Sequence, residues 1–283
     1  MRKRASIVCL LLMGVIGSSC SQTKTAKNPI GYDLTTPVKY EMSTELLEIS
    51  GIAFNKGDNA AIYAEQDEDG NIYYFRPGDK QVKYAKFGKH GDYEDVAIAN
   101  SHAVILRSDG TLFTFPLSEI STGQIKNLKE IKGQLPKGEY EGLYADAFAN
   151  KLYALCKQCP GSNHAKKCDG YILTLSADGS VNQSGNFSID VQKISALTGR
   201  NKLKFHPSAL AKNPITKQWF VLSSVNKLLV ITDGNFNVQQ AYPLPSGFLQ
   251  PEGIAFDKQG NLYISNEGDK VSNGNILFFK YKR

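Results

Sequence analysis

The stretch QPEGIAFDKQGNLYISNEG, Gln250–Gly268, decides how this chain is read. A glutamate stands beside a glycine, an apolar–small–apolar triplet follows, and a turn leads into a second β-rich run with a polar end. Versions of the phrase recur as LEISGIAF ending at Phe54, DYEDVAIA at 92–99, EYEGLYAD at 139–146 and HPSALAKN at 206–213. Their central pairs are Ser50-Gly51, Glu94-Asp95, Glu141-Gly142, Ser208-Ala209 and Glu252-Gly253, spaced by 44, 47, 67 and 44 residues. A near-constant period of this length is the signature of a repeat architecture.

Each phrase opens a series. A second run follows it: AAIYAE, HAVILR, KLYALC, QWFVLS and NLYIS. A third follows that: NIYYF at 71–75, TLFTF at 111–115, YILTL at 171–175, KLLVIT at 227–232 and NILFF at 275–279. Asp69-Gly70 and Asp109-Gly110 mark hairpin turns between runs two and three. Fourth runs are visible at 82–87, 126–131, 181–189 and 238–244, but the last series stops at Phe279. Its missing strand is supplied by PVKYEM, 37–42, at the other end of the chain. The expectation is an all-β fold: a β-propeller of five four-stranded blades closed by an N-terminal strand, since radial closure leaves no long free edge. The alternative is six blades, with an irregular one in the 67-residue interval.

Composition agrees. The 283 residues are 41% hydrophobic and 21% charged, as in a soluble globular protein, with Tyr and Phe at 14 each favouring strands. Arg2, Lys3 and Arg4 precede a short apolar run, Ile7 to Ile16, and the small residues Gly17-Ser18-Ser19 stand before Cys20. This reads as a signal peptide over 1–19, with Cys20 as the lipidated N-terminus, although Gly17 replaces the usual branched residue. Residues 20–36 read as the lipidated cysteine and a flexible tether, and 37–283 as the propeller. Cleavage before Cys20 lowers the formal charge from +6 to +3, so the basic balance carries no nucleic-acid inference. The implied partner is a membrane, held through the lipid. The implied place is the cell envelope, as a monomeric outer- or inner-membrane lipoprotein facing the periplasm, because Ser21, Gln22 and Thr23 carry no acid.

In a propeller the first strand of each blade lines the channel, and the second returns to the same face. One mouth should therefore gather Glu94, Asp95, Glu141 and Glu252 from strand starts, with Glu65, Asp67, Asn266 and Glu267 from strand ends. Arg107 and His206 are candidate substrate-facing groups there. Converging carboxylates must be solvated, protonated or neutralised. Oxygen ligands suit Ca2+ before Mg2+. The competing reading is structural, with each carboxylate accepting backbone N–H groups from a neighbouring blade.

These phrases together, EISGIAF, DYEDVAIA, EGLYAD, HPSALAKNP and QPEGIAFDKQGNLYISNEG, resemble the SdiA-regulated family, also called YjiK/CarP-like, over about residues 40–280. The resemblance implies a bacterial envelope β-propeller, in a group with some phytase-like or calcium-linked members. It transfers no catalytic residue.

One insertion stands apart. CKQCPGSNHAKKC places Cys156, Cys159, His164 and Cys168 in a C-x2-C-x4-H-x3-C spacing, close to a compact zinc site. An oxidising compartment favours a disulfide instead, Cys156–Cys168 or Cys159–Cys168, over Zn2+. Lys157, Lys166 and Lys167 read as solvated charges. No phosphate-binding glycine loop, serine nucleophile elbow or zinc-protease motif appears. The functional expectation is a module that binds a small molecule or protein at an acidic, calcium-binding mouth. A calcium-dependent phosphoester or lactone hydrolase and a structural envelope protein are the alternatives.

Overall fold

The computed structural model describes residues 28–283. The signal peptide and the lipidation expected at Cys20 lie outside the described residues. Among these residues no helix is long and apolar enough to cross a membrane.

Twenty strands form five antiparallel four-stranded sheets. The first blade holds β2 (Ile49–Asn55), β3 (Asp58–Gln66), β4 (Asn71–Phe75) and β5 (Lys83–Lys86). The second holds β6 (Tyr93–Ala99), β7 (His102–Arg107), β8 (Leu112–Pro116) and β9 (Lys129–Ile131). The third holds β10 (Glu139–Asp146), β11 (Lys151–Gln158), β12 (Lys167–Leu175) and β13 (Val181–Asp190). The fourth holds β14 (Ala209–Lys212), β15 (Trp219–Ser223), β16 (Leu228–Thr232) and β17 (Val238–Pro243). The fifth holds β18 (Pro251–Phe256), β19 (Leu262–Asn266), β20 (Asn275–Phe279) and, from the other end of the chain, β1 (Val38–Glu41). β1 pairs with β20 in the register Val38↔Phe278, so the closure read from PVKYEM is the one that forms.

The inner strands touch in a cycle, β2 to β6 to β10 to β14 to β18 and back to β2. Five apolar clusters fill the five interfaces between blades. Each blade is buried on both faces, which is why β15, WFVLS, is apolar at nearly every position rather than at alternate ones. The alternation instead divides residues between neighbours: Ile254 and Phe256 enter one cluster, and Ala255 enters the next. Burying a side chain of this size contributes about 1.5–3 kcal/mol.

Among the described residues there is no sixth blade. The 67-residue interval is taken up by long strands β12 and β13 and by a helix, α1 (Val191–Thr198), that the strand pattern did not announce. Asp190 caps it by accepting from the N–H groups of Gln192 and Lys193, Gly199 ends it in the left-handed region, and Val191 and Ile194 are buried.

Packing begins before the boundary drawn at Pro37. Tyr32 and Leu34 are buried in the cluster between the fourth and fifth blades. The Tyr32 hydroxyl donates to Gly260 O at 2.6 Å and accepts from Asn213 Nδ2 at 2.7 Å. An aromatic ring with two such bonds is an anchor, so this end of the expected tether is part of the domain.

Candidate functional site

The recurring phrase is bent at one place. Tyr93 pairs with Arg107 and Asp95 with Leu106, which leaves Glu94 as an extra, unpaired residue. Tyr140 and Gly142 leave Glu141 in the same way, and Pro251 and Gly253 leave Glu252. A one-residue bulge turns a strand and re-aims its side chain. Three blades thus point a glutamate away from the inter-blade core and towards one mouth of the channel. The glycine after the bulge is needed for closeness: a Cβ on Gly253 would lie 2.4 Å from Ser50 O in the next blade.

The carboxylates divide into two sets. Asp95 is buried and accepts from Leu143 N–H of the next blade at 2.6 Å and from Val96 N–H at 2.8 Å. It is a blade-to-blade anchor, and burial pushes its pKa up against the pull of both bonds. Serines do similar work. Ser50 Oγ donates to Glu94 O at 2.9 Å, Ser208 Oγ to Pro251 O at 3.0 Å and Ser265 Oγ to Ser50 O at 2.5 Å. The structural alternative is therefore correct for Asp95.

Among the described residues the second set accepts from no backbone N–H group, and Asp92 takes one hydrogen bond from the Ser108 hydroxyl. Asp67, Asp92 and Glu94 each present an oxygen within 4.8 Å of the others. Backbone bonds bring them together: Tyr93 N–H donates to Asp67 O at 2.8 Å, and Gly91 N–H to Glu68 O at 2.9 Å. Burial first, then Asp92 and Asp67, push Glu94 up to about 9. Burial and Asp92 push Asp67 up to about 6. Burial, then Glu252 and Asp67, push Glu267 up to about 8. Glu252 is also raised by burial, against a hydrogen bond from Ser224 and the nearby Lys157. Glu65 is fully buried behind this group. One of its oxygens accepts from Gly51 N–H at 2.6 Å, and the other, Oε2, has no partner. Asn266 is buried too; its Nδ2 donates to Asn275 at 3.2 Å and its Oδ1 has no partner.

Asp92 is not among the site residues expected from the sequence, and Lys157 enters that reading only as a solvated charge. Asp92 lies two residues before Glu94, and strand periodicity was the available signal. Lys157 is not a solvated charge. It bridges Glu141 and, at 3.2 Å, Glu139, and its field lowers Glu94 and Glu252. Lys167 pairs with Asp169 at 2.8 Å.

Neither candidate substrate-facing group joins the acidic set. Arg107 folds back on its own hairpin, donating to Asp109 from Nε at 3.1 Å and Nη2 at 2.8 Å, with its guanidinium 5.4 Å from the centre of the Phe113 ring. The ring of His206 stacks on that of His164 with centroids 5.5 Å apart, and both line a separate depression beside the cysteine loop.

The cysteines pair differently from either expected disulfide. Cys156 and Cys159 are bonded, and Cys168 is free and buried. The register Leu155↔Gly170, continued, sets Cys168 opposite Lys157 rather than Cys156. A one-residue offset reverses the face. Cys156 therefore lies in the cluster between the second and third blades, and Cys168 in the cluster between the third and fourth. The disulfide consumes two of the four ligands of the zinc alternative, and Cys168 points away from the others. Those residues do not fit Zn2+.

The sequence profile of the SdiA-regulated family matches residues 31–271. No curated protein matches the chain in sequence. Among solved structures, a glutaminyl cyclase from Myxococcus xanthus superposes with a TM-score of 0.56 at 12% identity, covering 88% of this chain and 97% of that one. A luciferin-regenerating enzyme gives 0.54 at 10% identity, covering 87% and 95%. The calcium-binding protein regucalcin from Agrobacterium tumefaciens strain C58 gives 0.50 at 12% identity, covering 89% and 95%. Identities this low show a shared fold alone.

Proposed function

The chain belongs to the SdiA-regulated family, and from that premise we propose that it is a cell-envelope binding module whose acidic channel mouth takes a calcium ion and, through it, an anionic ligand. One observation carries this reading: the Asp67, Asp92 and Glu94 oxygens lie within 4.8 Å of one another, with the unpartnered Glu65 Oε2 buried behind them. Oxygens about 2.3–2.6 Å from a common centre satisfy that spacing, and all-oxygen donors favour a hard cation. A bound cation would stabilise the ionised carboxylates that burial now opposes, and its open coordination positions would face the channel. Regucalcin supplies a propeller described as calcium-binding, but the donor set of this chain is the argument. The envelope location rests on the pattern from Arg2 to Cys20.

The test is thermal unfolding of the full chain after chelation and again with added calcium. A ligand that binds only the folded state stabilises it by about 2.7 kcal/mol at a hundredfold excess over its dissociation constant. The rise should appear with calcium and vanish in Glu94→Gln. No shift at millimolar calcium would overturn the reading.

A second reading, a calcium-dependent hydrolase of phosphoesters or lactones, is favoured by the same three oxygens, because a cation held there would polarise a bound ester and activate water. Turnover of p-nitrophenyl phosphate or a simple lactone that requires calcium and is lost in Glu94→Gln would select it. Binding without turnover selects the first.

A further inference from the structure

The opposite end of the channel has a different chemistry. The same five inner strands enclose a cavity of about 320 Å3 there, within the range of small-molecule sites. Its wall is apolar, built from residues such as Ile52, Val96, Leu143, Leu210 and Ile254. Space is left because the second position after the central pair is Ala53, Ala97, Ala211 and Ala255 in four blades, with a large side chain, Tyr144, only in the third.

Three lysines line the opening, Lys56, Lys258 and Lys212, the last with its ammonium 5.3 Å from the centre of the Trp219 ring. Among the described residues none of them is in an ion pair. Lys258 N–H donates to Gly57 O at 2.8 Å, which holds the turns carrying Lys56 and Lys258 side by side across two blades. The two acids among the lining residues are occupied, and Asp58, which opens β3 after the turn carrying Lys56, accepts from Ala60 N–H. Asp146 accepts from the N–H groups of Phe148 and Ala149, and Asp257 from those of Gln259 and Asn261 and from Asn59 and Asn261 side chains. They cap turns and form no ion pair with the lysines. Phe148 lies on the rim with 89% of its surface exposed.

An apolar chamber with an unpaired cationic rim complements a molecule with a hydrocarbon body and an anionic head. We propose that this end of the channel binds a single-chain amphiphilic carboxylate, with the chain in the cavity and the carboxylate at Lys56 and Lys258. The enclosure by all five blades favours a discrete molecule over a bilayer surface, and the charge at the rim favours an acid over a neutral alcohol.

The test is isothermal titration of the full chain with octanoate, decanoate and dodecanoate below their micelle concentrations, with 1-decanol as the uncharged control. Saturable one-to-one binding is expected, strengthening about fourfold per added methylene until the cavity is full. Lys56→Glu with Lys258→Glu, both at exposed positions, should weaken decanoate about tenfold and leave decanol unchanged. Ala53→Leu, which fills the chamber, should abolish both, with the calcium response and circular dichroism as checks on folding. The proposal is overturned by the absence of saturable binding, or by binding indifferent to these variants. Binding only to phosphatidylglycerol vesicles would also overturn it, making the lysines a membrane-facing patch.

Discussion

The two ends of the channel are made by the same five strands, yet one is anionic and the other cationic and apolar. At the acidic end each strand is just beginning, and a bulge tips Glu94, Glu141 and Glu252 out of the ladder. At the other end four of the strands run without bulges into their turns, β2 alone being irregular between Ala53 and Asn55, and the acids Asp146 and Asp257 accept from backbone N–H groups. What differs is whether a charge has a partner. A carboxylate whose oxygens are taken up by backbone N–H groups is structure, whereas the Asp67, Asp92 and Glu94 group, which accepts from none among the described residues, is available to a ligand.

Neighbouring residues sharpen this contrast most. Asp95→Ala would leave the buried N–H groups of Leu143 and Val96 without an acceptor, a cost of about 4 kcal/mol in urea unfolding at about 1–3 kcal/mol per group. Glu94→Gln, one residue away, removes only an unfavourable charge and should leave stability unchanged or higher at pH 8. Equal losses from both would break the distinction between anchor and site.

Next in size is the Cys156–Cys159 bond, which closes a loop beside the acidic end. Its short loop limits the contribution to about 2 kcal/mol, so Cys159→Ser should lower the unfolding midpoint modestly. Buried Cys168, whose thiol burial pushes up, should resist iodoacetamide in the native state.

Smaller again is the pH response. Glu94, Glu267 and Asp67 have folded pKa values of about 9, 8 and 6, all above unfolded carboxylates near ~4. The folded state then holds protons that the unfolded state has lost, so metal-free stability should fall as pH rises from about 4 to about 9. Solvent screening limits this to about 1 kcal/mol per group. Calcium should flatten the profile, and a profile equally steep with calcium would place the cation elsewhere.

The smallest effect belongs to the other end. Phe148→Ser should change stability by less than about 0.5 kcal/mol, because its ring is exposed. A larger loss would mean that the rim is part of the core.

Reading the sequence reached the fold because strand period and repeat spacing are local properties that survive translation along a chain. The phrase around Glu252-Gly253, the Asp109-Gly110 turn and the unpaired strand at 37–42 pointed to five closed blades, with the 67-residue interval leaving a sixth open. The site was legible only in part. Glu94 and Glu252 were marked by the repeat, but Asp92 sits outside the repeated pair. Lys157 stands in a run of lysines that local pattern reads as solvated, and nothing local marks Arg107 as bonded to Asp109. The cysteine pairing failed for a similar reason, since a C-x2-C spacing carries no record of which face of a sheet each sulfur occupies.

The sequence by itself determined the propeller, the closing strand, the acidic glutamates and the family, and left five blades against six to the structure. Only the tertiary structure decided which carboxylates are anchors, which gather within reach of a cation, and that a lysine-rimmed chamber lies behind them. Repetition writes the strands into the chain. A side chain's partner depends on the neighbouring blade, 44 to 67 residues away, and on one-residue shifts of register that no local pattern records.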